Sequence, residues 1–131
     1  MAEMKPEPLP PTALAADSVA QLPPCEQGAV QSLFDNDLAL FLTFRAACIE
    51  QFEHDFRLAA ALLAAQQDRA ALVRLAHSLK GVLHTLGHTE IGALAHGLQV
   101  QAERADWAEL QGQWTALRLR LVAAFGLDLA A

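Results

Sequence analysis

The sequence predicts an all-α fold, an antiparallel up-down four-helix bundle with a short N-terminal helix covering one end, and three observations carry that prediction. After Pro24 the chain contains no proline, so nothing in the next hundred-odd residues forbids long helices. Leucine and alanine are abundant, tyrosine is absent, and no run alternates Val, Ile and Thr in the manner of a strand. Candidate capping residues recur between long apolar-periodic segments, and the connections they leave are only two to four residues long. Connections that short make consecutive helices antiparallel neighbours.

Taken in order, residues 1–24 hold all six prolines and read as a tail or linker, with a short helix predicted over Thr12 to Leu22. Residues 25–131 form the predicted bundle domain. A short helix is expected over Glu26 to Phe34. Asp35 or Asn36 is expected to cap a long helix reaching about Ala65, in which Phe41, Cys48, Phe52, Phe56 and Leu63 form a core stripe. Asp68 is placed to cap the next helix, which ends near Gly87, a suitable C-terminal residue. Thr89 is expected to cap a helix from Glu90 to about Ala105, and Asp106 one from Trp107 to Phe125, closed by Gly126. Trp107 and Trp114, seven apart, read as packing residues of that last helix.

A chain of 131 residues can bury a real core. Its net charge of -6 argues against nucleic acid and against direct contact with an anionic membrane surface. No apolar run has the length of a membrane span, and no signal peptide is recognisable, so a soluble cytoplasmic protein is expected, monomeric since four helices can bury their own stripes. Cys25 and Cys48 have neither zinc spacing nor a disulfide framework and read as reduced thiols. A metal site built from His77, His84, His88 and His96 is the weakest functional reading, because helical metal sites favour pairs such as Glu-x-x-His and none of these histidines has a carboxylate partner suitably placed; His88 falls at the helix end and His96 on another helix.

The chemistry concentrates in His77-Ser78-Leu79-Lys80-Gly81. At about 100° per residue, Lys80 and Gly81 fall roughly 60° and 40° to either side of His77. Leu72, Leu75, Leu79, Val82 and Leu86 fall at about 140° to 220°, on the opposite side. A leucine stripe that faces the core therefore puts His77 in water, with a lysine as its i+3 neighbour. Glycine within a helix costs about 1 kcal/mol relative to alanine, so Gly81 on the exposed face points to close approach of another surface. Arg69, Arg74 and Lys80 are expected to gather around His77, with His84 and His88 behind them, giving an acidic molecule a locally positive face.

These residues resemble the histidine-containing phosphotransfer (HPt) domains of multistep two-component signalling. The family pattern is His-x-x-Lys-Gly with a Leu-Gly pair beginning five positions after the glycine, and here His77, Lys80, Gly81, Leu86 and Gly87 fill it. The resemblance covers roughly residues 25–125, including Asp37-Leu38 through Phe41 and Phe44 upstream. It implies that His77 accepts a phosphoryl group from the aspartyl phosphate of a receiver domain and passes it to another. It also implies that Lys80 offsets charge on the phosphoryl oxygens and that Gly81 gives the receiver access, with no kinase activity of the chain's own. No cofactor is implied here; magnesium would belong to the receiver. Partners would be receivers of response regulators or of a hybrid sensor kinase, of which the chain could be the C-terminal domain. Arg69, Arg74 and His84 are the added candidates for binding. The family usually has small residues after the glycine, whereas Val82, Leu83 and His84 follow here, which motivates a second reading as a docking module with weak phosphorylation. Leu98-Gln99 stands where the family often has Leu-Glu, a change read as a surface matter.

Overall fold

The computed structural model describes residues 19–127, and five helices are delimited among them. They are α1 (Pro24–Leu33), α2 (Leu38–Ala65), α3 (Arg69–Thr85), α4 (Thr89–Gln101) and α5 (Trp107–Phe125). No described residue is in a strand. The predicted Thr12 to Leu22 helix lies mostly outside the described residues, of which 19–21 are helical.

Pro24 opens α1 at its first position, where a missing N–H costs nothing. Asp35 and Asn36 do not cap α2; both adopt left-handed φ values of 54° and 62° and turn the chain between the helices. The cap is Asp37, whose carboxylate accepts from the Leu40 amide at 3.0 Å. Asp68 caps α3 through the Ala71 amide at 3.1 Å, and Asp106 caps α5 through the Glu109 amide at 2.8 Å. Thr89 is not a cap either. His88 holds that position, its ring is engaged elsewhere, and α4 starts without a side-chain cap. At its other end α4 stops at Gln101 rather than near Ala105, with Ala102 as the last half-turn.

The apolar faces close on one core. On α2 the predicted Phe41, Cys48, Phe52, Phe56 and Leu63 are all buried, joined by Leu38 and Ala59. Leu72, Leu75, Leu79, Leu83 and Leu86 bury the inner side of α3 and its C-cap, while Val82 is only half-buried. Phe56 meets Trp114 edge-on at 5.4 Å and Phe52 meets Phe125 at 5.2 Å, so α5 descends as α2 rises. The start of α3 likewise meets the end of α4, because Arg69 donates to the Ala102 and Ala105 carbonyls at 3.0 and 2.6 Å and lies over Trp107 at 4.6 Å. α2 and α5 are thus antiparallel, as are α3 and α4. No described helix is long and apolar enough to cross a membrane.

Candidate functional site

With its leucines inward, α3 turns Arg74, His77, Ser78, Gly81 and His84 to solvent and leaves Lys80 half-buried at the edge. None of the side chains of Arg74, His77, Lys80 and His84 makes a hydrogen bond or ion pair among the described residues. Above Gly81 there is open space: a Cβ built there meets nothing within 4 Å. The cationic face is smaller than the sequence suggests. Arg69 is drawn away to the α4–α5 connection, where two buried carbonyls claim its guanidinium. His88 is buried and pairs with Glu26. Arg74 and Lys80 remain, with the imidazoles of His77 and His84.

How α3 ends fixes where this face lies. The His88 amide bonds the Leu83 carbonyl at 2.8 Å and the Gly87 amide bonds that of His84 at 3.1 Å, the two bonds of a Schellman motif. Gly87 has φ +93°, and a Cβ there would strike the Cys25 carbonyl of α1. Only glycine satisfies both the left-handed backbone and the approach of α1.

Beneath that turn lies a polar cluster that sequence reasoning missed. Fully buried Glu26 accepts from Arg45 Nε at 2.9 Å and from His88 Nε2 at 2.6 Å. Arg45 and His88 both pack on the Phe125 ring, at 4.9 and 4.8 Å. Burial pushes the Glu26 carboxyl up, but the bonds and charges of His88 and Arg45 outweigh it and hold the carboxyl below its ordinary range. Cys25 Sγ lies 3.6 Å from His88 Nδ1; burial, and then the Glu26 charge, push this thiol up. An open cleft of about 580 Å³ beside it is lined by Cys25, Gly87, His88, Ile91 and Arg120, with His77, Lys80 and Gly81 outside its lining. Histidine, cysteine and carboxylate groups suited to holding a metal are absent among the described residues.

A neighbour of the motif was also missed. The His84 ring rests on Gly92, where a Cβ would lie 3.0 Å from its Cδ2 and Nε2, so the two residues mark the register of antiparallel α3 and α4. Two turns away along each helix, in opposite directions, stand His77 and Gln99; one turn away stand Lys80 and His96. Gln99 Oε1 is buried and accepts no hydrogen bond. Gln99 itself is half-buried, with that oxygen turned inward. The available signal was its place in the Leu98-Gln99 pair, but only the register connects that pair to His77.

Neither a curated protein nor a solved structure matches the chain significantly. The family model of the Hpt domain matches residues 38–124, from the first residue of α2 almost to the end of α5, taking in the whole exposed face of α3. The chain belongs to the Hpt domain family, and its general role is histidine phosphotransfer in a phosphorelay.

Proposed function

We propose that His77 accepts a phosphoryl group from the phospho-aspartate of one receiver domain and delivers it to the aspartate of another. The observation that carries this reading is the exposed His77, without a hydrogen-bond partner among the described residues, beside Lys80 and the open space over Gly81 on one helix face. Such a face is half of an active site. In the forward step Nε2 of the neutral imidazole attacks phosphorus in line, the N–P bond forms as the acyl-phosphate P–O bond breaks, and the aspartate leaves as a carboxylate. The return step reverses these bonds. Lys80, which has no hydrogen-bond or ion-pair partner among the described residues, neutralises charge on the phosphoryl oxygens in both directions. Arg74 adds a second positive charge one turn before His77.

The buried, unpaired Gln99 carbonyl supports a tautomer assignment. By helix register it lies at the level of His77; no hydrogen bond joins the two in this structure, and one accepted from the Nδ1–H would leave the Nε2 lone pair free for phosphorus. The residues around His77 are cationic and do not fit a divalent metal; we assign magnesium to the acidic site of the receiver. A docking-only reading rested on bulk beyond Gly81. Leu83 turns fully into the core and Val82 is half-buried, while His84 stays exposed on the motif face, so of the three bulky residues His84 is the one a docking partner would meet.

The test is incubation with a panel of phosphorylated receiver domains, scoring acid-labile, alkali-stable label. Label on the wild type that vanishes in His77→Gln supports the relay. Label that persists in His77→Gln contradicts the assignment, and receiver binding without label favours the docking module.

A further inference from the structure

One heptad beyond His77 on the same exposed face, His84 has a seat made by another helix. A Cβ at Gly92 would lie 3.0 Å from both Cδ2 and Nε2 of the His84 ring and 3.5 Å from Cε1. Three ring atoms at nearly one distance mean that the imidazole lies with its face on the Gly92 backbone rather than its edge. Gly92 is buried for this reason, although it sits in the first turns of α4 beside an exposed side chain. Both ring nitrogens consequently stay on the rim of the ring. Neither has a hydrogen-bond partner among the described residues.

A glycine in a helix interior is costly relative to alanine, and an exposed histidine without a seat would sample several rotamers. Here the two residues restrict each other: the missing Cβ lets the ring down, and the ring is held in one place. Along the axis His84 is about 10 Å from His77. That is too far to touch a phosphoryl group on His77, but within the footprint of any domain that reaches His77 and covers Gly81. We propose that His84, held flat by Gly92, is a docking contact for the receiver, offering a preorganised ring nitrogen to a carbonyl or carboxylate on the receiver's surface. It sets how tightly the receiver binds, not how fast the phosphoryl group moves once bound. This inference rests on the relay reading above.

The test uses the full chain with the receiver that transfers best among a phosphorylated panel, measuring KM and kcat of transfer separately. His84→Ala is expected to raise KM about three- to tenfold, the range of one hydrogen bond, with kcat within about twofold. Gly92→Ala, which lifts the ring, is expected to raise KM similarly, and the double variant to be no worse than His84→Ala alone. His84→Gln, keeping a donor and an acceptor, is expected to recover part of the loss. Labelling of His77 by phosphoramidate, which needs no receiver, is expected to be unchanged in every variant. An unchanged KM in His84→Ala, or a Gly92→Ala effect that simply adds to it, overturns the proposal. A wild type that phosphoramidate labels nowhere, or that no receiver serves, overturns the relay reading instead.

Discussion

Gly87 carries two demands at one position, a φ of +93° and an α1 carbonyl where a Cβ would stand. Gly87→Ala is therefore expected to cost about 2–4 kcal/mol, combining left-handed strain with overpacking, and to appear as a lower Tm. Gly92 behaves oppositely. Its φ is helical and only the His84 ring opposes a methyl group, so in a His84→Ala background Gly92→Ala is expected to stabilise by about 0.5–1 kcal/mol in denaturant titration. Lys80 touches no partner that the fold requires, and Lys80→Ala is expected to slow transfer or shorten the phosphohistidine lifetime while leaving Tm within about 1–2 °C. A large fall in Tm would place Lys80 in the packing instead.

At the scale of elements, α1 is pinned by charge as much as by apolar contact. Removing the Glu26 carboxylate leaves Arg45 and His88 facing an apolar wall, so Glu26→Ala is expected to cost about 3–5 kcal/mol. The pH dependence has a definite sign. Glu26 has a lowered folded pKa, so its contribution is complete above the ordinary carboxylate range and is lost as pH falls through the folded value. Glu26→Gln is expected to flatten that acid loss in melts taken between neutral and acidic pH. Asp55, buried on α2 with only Gln51 donating at 3.2 Å, is raised by burial, so ionisation works against the fold as pH rises. Asp55→Asn is expected to raise Tm near neutral pH. The helices were legible because proline, leucine spacing and Asp68, Asp106 and Gly126 act locally. Asp37 was missed as a cap because Asp35 and Asn36 look equally suitable until their left-handed turn is seen. Glu26, Arg45 and His88 lie on three segments far apart in sequence, and no periodicity announces their meeting.

For the whole molecule, the family match begins at Leu38 and leaves α1 outside it, yet α1 closes the bundle end through Glu26 and its contact with Gly87. Face and support are thus separate: α3 presents chemistry outward, and the α1 cluster fixes the turn that ends α3. In the candidate site, His77, Lys80 and Gly81 were legible because one helix wheel contains them. Arg69 was misplaced because its surroundings come from other helices. The relay itself is tested most directly by following one labelled phosphoryl group from a phosphorylated receiver onto this chain and off to a second receiver, in wild type and in His77→Gln. Transient acid-labile label at His77 followed by appearance on the second receiver is expected, and neither step in the variant. Transfer between receivers that proceeds equally well with His77→Gln would contradict the relay.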